Sequence, residues 1–151
     1  MTTFPEQGSA SIEINAAPEE VWNLVAEITR MGEWSPECVR AEWQSGATGP
    51  EVGAKFLGFN KIDAYEWDAS GLVTKCEVAK LFEFKVPRDS ETPTIWRFEF
   101  AASGSGTTLT ESFDAPLLNV AGSPSNFEGR HEMLIEGIET TIANIKAAAE
   151  A

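Results

Sequence analysis

Cations are scarce in this chain. Eleven lysines and arginines stand against 24 aspartates and glutamates, a formal net charge of −13. That balance argues against nucleic acid and anionic membrane surfaces as partners, since both require a cationic face. Solvation alone accounts for the acidity. Histidine occurs once, at His131, which excludes a histidine-rich metal site. The two cysteines, Cys38 and Cys76, form no C-x-x-C pair and are too few for a disulfide scaffold. Reduced thiols in a cytoplasmic protein are the simplest account. No apolar run approaches the roughly 20 residues that span a bilayer. Met1 to Gly8 is polar and contains Pro5, unlike a secretory leader. Gly104-Ser105-Gly106 lacks the spacing and lysine of a phosphate loop, and no G-x-S-x-G occurs. No metal and no nucleotide or nicotinamide cofactor is expected.

What remains is a chain with an ordinary core. It has 151 residues, 42% of them hydrophobic, which fits one domain over 1–151 with residues 1–8 as a flexible N-terminus. Ala10, Ile12, Ile14 and Ala16 alternate with polar residues and predict a half-buried strand. Pro18, followed by Glu19 and Glu20, suits a helix entry. Val21, Leu24, Val25 and Ile28 make that helix's buried face. A second short helical turn follows Met31-Gly32 and ends at Ser35-Pro36.

The middle of the chain reads as strands. Cys38 to Trp43 is the first, with Val39, Ala41 and Trp43 in one phase. Ala54 to Ile62 is the next, with Phe56, Gly58 and Asn60 inward. Asp63 to Gly71 reads two ways, with Trp67 able to end a strand and Asp68 to Gly71 resembling a turn. Leu72, Thr74, Cys76 and Val78 are then the inward phase, followed by a tight turn near Ala79-Lys80. Phe82, Phe84 and Val86 face inward, as do Trp96, Phe98 and Phe100. Gly104-Ser105-Gly106 makes a hairpin turn. Leu109, Glu111 and Phe113 complete the inward set. Asp114 to Pro124 reads as an apolar loop.

The chain closes on a long helical pattern, Ser125 to about Ala149. Phe127, His131, Leu134, Ile135, Ile138, Ile142 and Ile145 recur at helical spacing. Ser125 with Glu128 three residues on carries a capping-box signature. Strands segregated from a long packing helix mean an α+β fold. A curved antiparallel meander of six or seven strands against one helix leaves a hollow whose inward phases are strongly aromatic.

Several segments carry a family likeness. Pro18-Glu-Glu-Val-Trp22, Arg30-Met-Gly-Glu-Trp-Ser-Pro-Glu-Cys38, Gly53-Ala-Lys-Phe56 with Gly58 and Asn60, Thr110-Glu-Ser-Phe113 and Ile145-Lys-Ala-Ala-Ala149 resemble the polyketide cyclase/dehydrase branch of the START-related (SRPBCC) superfamily. That superfamily includes the birch-pollen allergen. The likeness runs from about Ala10 to the end, and Met31 to Cys38 is its most specific part. It implies a helix-grip fold, with the curved sheet wrapped around the C-terminal helix and two short helices after the first strand. It also implies a deep apolar cavity holding a small hydrophobic or polycyclic ligand. It implies no single chemistry, since fold does not determine function.

The inward phases supply the candidate ligand-binding residues: Trp34, Trp43, Phe56, Asn60, Cys76, Phe84, Trp96, Phe98, Glu111, Phe113, Phe127 and His131. Aromatic walls suit planar ligands, although most aromatics are simply core. Glu111 and His131 are the catalytic candidates. A buried Glu111 would have a raised pKa and could be a general base or a hydrogen-bonding anchor, or else a structural partner of Arg130 or Asn60. His131 could equally be a packed or solvent-edge helix residue. Trp34 is placed to gate the mouth, with Pro116-Leu117-Leu118 as the opposite lip.

The favoured expectation is a non-catalytic carrier or sensor of a lipid- or polyketide-like molecule, monomeric or homodimeric and not inserted in membrane. A cyclase, aromatase or dehydratase using Glu111 or His131 as general base is the alternative. A protein-interaction module is the third reading, and it would show a filled core and an exposed apolar patch.

Overall fold

The computed structural model describes residues 3–151. Met1 and Thr2, part of the expected loose terminus, lie outside the described residues. From Phe4 onward that terminus is tied down. The Phe4 N–H donates to Asn119 Oδ1 at 2.8 Å, and the Ala115 N–H donates to the Glu6 carbonyl at 2.7 Å.

Seven antiparallel strands form one sheet: β1 (Gln7–Ile14), β2 (Cys38–Gln44), β3 (Lys55–Ile62), β4 (Tyr65–Glu77), β5 (Leu81–Val86), β6 (Thr94–Ser103) and β7 (Gly106–Asp114). Their spatial order is β1-β7-β6-β5-β4-β3-β2. From β2 to β7 the sheet is a plain meander. The chain passes from β1 at one edge to β2 at the other through helix α1 (Pro18–Ala26), a 3₁₀ turn at Ile28–Arg30 and the short α2 (Met31–Trp34). The long helix α3 (Arg130–Ala149) then crosses the concave face. Its twenty residues span about 30 Å. This is the expected α+β helix-grip architecture.

Alternation sets the inward faces as expected in β5, β6 and β7. Phe82, Phe84, Phe98, Phe100, Leu109, Glu111 and Phe113 are all buried. Val21, Val25 and Ile28 lie under them from the α1 side, and Leu134, Ile138, Ile142 and Ile145 from α3. Pro18 stands at the start of α1, with Glu19 and Glu20 in its first turn.

Elsewhere the backbone departs from simple alternation. A bulge between Cys38 and Arg40 turns Cys38 inward and leaves Val39 57% exposed, the reverse of the expected phase. The expected turn at Asp68 to Gly71 does not form, and β4 runs straight through it. The reversal lies at Asp63-Ala64, with Asp63 at φ 53°. The small residues at 69 and 71 make room on the sheet instead of breaking it. A Cβ on Gly71 would come within 2.2 Å of the Phe56 ring. A second bulge between Val73 and Lys75 puts Val73 inward and Thr74 outward, against expectation, and returns Cys76 to the inner face beside Phe82. The Thr74 hydroxyl lies on the outer face, 3.1 Å from Glu83 Oε2.

The long helix starts five residues later than expected. Ser123 to Arg130 is a series of tight turns: the Asn126 N–H donates to the Ser123 carbonyl, and the Arg130 N–H to the Phe127 carbonyl. Gly129, at φ 94°, is the residue before the helix, and no side chain caps it. The Ser125–Glu128 capping box therefore does not form. The apolar loop before it contains a 3₁₀ turn at Pro116–Asn119 that buries Leu118 completely.

Candidate functional site

The sheet and α3 do not close completely on one another. Between them lies a cavity of about 110 Å³. Its walls are aromatic on the sheet side, with Phe56, Phe84, Trp96 and Phe98, and small where space is needed, with Ala41, Gly58, Ala69 and Gly137. Leu134, Ile138 and Thr141 supply the helix side. These share one face with Gly137 at i, i+3, i+4 and i+7. The Thr141 hydroxyl donates back to the Gly137 carbonyl at 2.7 Å, so it is already satisfied. The rings interlock edge to face: Phe56 and Phe84 have centroids 5.1 Å apart at 83°.

Two polar side chains of the inward phases reach this space. Asn60 does so from β3, opposite Cys38 across the strand pair. Glu111 does so from β7, opposite Phe98. The order of strands places them four strand steps apart, roughly 19 Å along the curved sheet. Glu111 is only 5% exposed, and its Oε1 is buried with no hydrogen-bond partner among the described residues. Burial raises the Glu111 carboxyl well above the usual carboxylate range. Burial thus favours its protonated form, the direction in which a cavity acid or a tuned general base is shifted.

Neither expected structural partner satisfies Glu111. Arg130 is engaged by Glu37, with Nη1 2.6 Å from Oε2 and Nη2 2.9 Å from Oε1. A second buried glutamate shows the contrast. Glu83, on the outer face of β5, accepts from Arg97 Nη2 at 2.6 Å and Nε at 3.1 Å. Glu83 is paired and Glu111 is not.

Phe56, Asn60, Phe84, Trp96, Phe98 and Glu111 line the cavity. The other candidates fall elsewhere. Trp34 is 3% exposed in the core, with the Arg30 guanidinium 5.0 Å from its ring and its carbonyl held by Asn144 Nδ2. Its Nε1 has no partner among the described residues. So buried, Trp34 is no gate, and the buried Leu118 is no lip. Trp43 packs edge-on to Phe56 and donates to Glu27 Oε1 at 3.1 Å. Cys76 joins the core beyond the second bulge. Phe113 packs on Trp96 in a second cluster. Phe127 is 42% exposed in the turns before α3, off the helical stripe. His131 lies at the seam of β1 and α3, where Nε2 donates to the Gln7 carbonyl at 3.0 Å and the ring meets Phe113.

In the segment Met31 to Cys38 the wall is formed not by Trp34, the residue expected there, but by its neighbours. Met31, Ser35, Pro36, Glu37 and Cys38 all line the cavity. Its signal was present, since this was the most family-specific stretch of the chain. Burial pushes the Cys38 thiol up, so it is an inert wall group. Among the described residues, no cluster of His, Cys, Asp and Glu is placed to hold a metal, and no helix is long and apolar enough to cross a membrane.

Comparison with known proteins places this geometry. The family model described as "Polyketide cyclase / dehydrase and lipid transport" matches residues 6–150. A polyketide cyclase-like protein of Corynebacterium glutamicum, known from a solution structure, is 31% identical over 94% of this chain and 90% of its own, with a TM-score of 0.65. A protein of Nitrosomonas europaea has the same fold at 16% identity, 93% and 92% coverage and a TM-score of 0.70. The di-domain ARO/CYC StfQ from the steffimycin biosynthetic pathway shares the fold at 14% identity over 96% of this chain and 50% of its own, with a TM-score of 0.73. None of the curated proteins compared with the chain matches it.

Proposed function

The chain belongs to the polyketide cyclase / dehydrase and lipid transport family, within the SRPBCC superfamily, and from that premise we propose that it binds a small hydrophobic or aromatic molecule in the cavity between sheet and long helix. The observation that carries the reading is the unfilled, aromatic-walled space over the centre of the sheet. Interiors are normally packed without such voids. A cavity of about 110 Å³ is close to the roughly 150 Å³ that accommodates benzene. Drug-sized ligands occupy about 300–1,000 Å³. The ligand is thus of single-ring size, or a larger molecule that enters with one ring.

The alternative is a cyclase-, aromatase- or dehydratase-type enzyme. Its support is the unpartnered Glu111 carboxyl inside the cavity. In its protonated form, which burial favours, that group would donate a proton to a leaving hydroxyl; in its ionised form it would serve as the base. His131, bonded to Gln7 outside the cavity, has no part in either version.

The test is mass spectrometry of protein from its native source, under native and then denaturing conditions. A stoichiometric small molecule is expected on denaturation, retained in His131→Ala and lost in a cavity-filling Gly137→Leu. Absence of any bound molecule, together with no saturable uptake of toluene, would overturn the reading. Conversion of an added substrate that Glu111→Gln abolishes would favour the enzyme.

A further inference from the structure

We propose that Glu111 is the specificity-determining residue of this cavity, selecting an uncharged ring that carries a hydroxyl or carbonyl oxygen and rejecting organic anions. This rests on the binding reading above.

The first support is the charge inventory of the walls. Among the described residues, Glu37 and Glu111 are the ionisable acids or bases that line the cavity, apart from the Cys38 thiol, and no lysine, arginine or histidine lines it. Arg130, buried at the start of α3 with 7% exposed, spends both terminal nitrogens on Glu37. A carboxylate ligand would thus lose its hydration, gain no counter-ion and face a second acid. Burying an unpaired charge is among the costliest events in a protein interior. Fatty acids and other ionised acids are excluded on that ground, although their apolar parts would fit.

The second support is the unused hydrogen-bonding capacity of Glu111. Its Oε1 is buried with no partner among the described residues, and Glu111 lines the cavity from the same strand face as Leu109 and Phe113. A buried polar atom left without a partner carries a desolvation cost that a matching ligand group removes. A neutral carboxyl offers one donor and one acceptor side by side. A phenolic or alcoholic hydroxyl meets both, and a carbonyl meets the donor.

A ligand amine is the competing occupant, because a carboxyl beside aromatic rings also suits a cation. The geometry disfavours it. A buried ion pair repays the desolvation of both ions only when further hydrogen bonds satisfy the remaining positions. Opposite Glu111 across the strand pair stands Phe98, which offers an ammonium no acceptor.

The experiment is calorimetric titration of the whole protein at pH 7 with four matched rings: toluene, p-cresol, p-toluate and 4-methylbenzylamine. Wild type, Glu111→Gln and Glu111→Leu are compared, with circular dichroism as the fold check. p-Cresol is expected to bind about tenfold tighter than toluene, the size of one net buried hydrogen bond. p-Toluate is expected at least about 100-fold weaker than p-cresol. Glu111→Gln, which keeps a donor and an acceptor, should retain the preference for p-cresol. Glu111→Leu should erase it while keeping toluene.

Equal affinity for toluene and p-cresol in wild type would overturn the inference and leave the cavity reading standing. Tightest binding of 4-methylbenzylamine, or p-toluate equal to p-cresol, would also overturn it. If none of the four rings binds, the cavity reading fails and the inference fails with it. Should the Leu variant not fold, the wild-type and Gln series decide alone.

Discussion

Arg130, the first residue of the long helix, grips Glu37 with two nearly parallel bonds of 2.6 and 2.9 Å, across 93 positions of sequence. Glu37 is itself part of the cavity wall, and its carbonyl accepts from the Lys61 N–H at 2.9 Å. One ion pair therefore ties the start of α3, the α2–β2 connection and the end of β3 around the same hollow.

Removing one member of that pair should be costly. Arg130 has 8% of its side chain exposed and Glu37 20%. Breaking a buried pair costs about 3–5 kcal/mol, which partial exposure of the glutamate reduces to about 2–3. Arg130→Met is expected to lower stability in urea by that amount. The double variant Arg130→Met, Glu37→Leu should recover most of the loss, because no charge is then left buried alone. Equal stability of the single and double variants would show that the pair is not coupled.

Glu111 should make stability fall as pH rises. Its carboxyl titrates higher in the folded chain than in the unfolded one, through burial. Between those two values the folded state holds the extra proton, so unfolding stability drops by at most about 1.4 kcal/mol per pH unit. The window opens near 4.5, the ordinary value of a glutamate carboxyl, and extends upward to the raised folded value. Glu111→Gln should remove this slope. The variant is expected to gain on wild type at pH 7–8 and to match it near pH 4, read from denaturation midpoints across pH. A parallel pH dependence of the two proteins would mean that the carboxyl is not desolvated as described.

Gly137 should trade stability against binding. It lies in the interior of α3 and in the cavity wall. A Cβ there would meet only Pro36 Cγ, at an ordinary 3.8 Å. Gly137→Ala should therefore stabilise the chain by about 0.5–1 kcal/mol, the usual helix-interior difference. Gly137→Leu should fill the hollow and weaken toluene binding at least about tenfold with the fold retained. Undiminished toluene affinity in the Leu variant would place the ligand elsewhere.

Much of the fold was legible because its signal is local. Strict alternation in Phe82–Phe84, Trp96–Phe98–Phe100 and Leu109–Glu111–Phe113 assigns side chains to one face of a strand, whatever lies opposite. The stripe from Leu134 to Ile145 does the same for a helix. These patterns, with the resemblance of Met31 to Cys38, were enough for the architecture and for Phe56, Asn60, Phe84, Trp96, Phe98 and Glu111 as cavity-facing residues.

Long-range geometry decided the rest. The two bulges, at Cys38/Arg40 and Val73/Lys75, reverse the phase of Val39, Leu72 and Thr74. A one-residue slip flips every side chain beyond it, and nothing in the alternation announces the slip. Gly71 read as a turn residue because its neighbours Asp68 and Ser70 favour turns, yet it is a strand residue lying under the Phe56 ring. Phe127 kept helical spacing but sits before a left-handed Gly129, where the helix has not begun.

The sequence by itself thus determined which residues face inward in the strands without a bulge and along the long helix, since there the period of the element alone decides it. The tertiary structure alone decided which inward residues bound empty space and which meet a partner. Glu111 and Arg130 could have paired, and both are buried. The α2–β2 connection instead brings Glu37 to Arg130, and Glu111 Oε1 is left without a partner among the described residues, because a charge partner is fixed by distance in space and not by position in the chain.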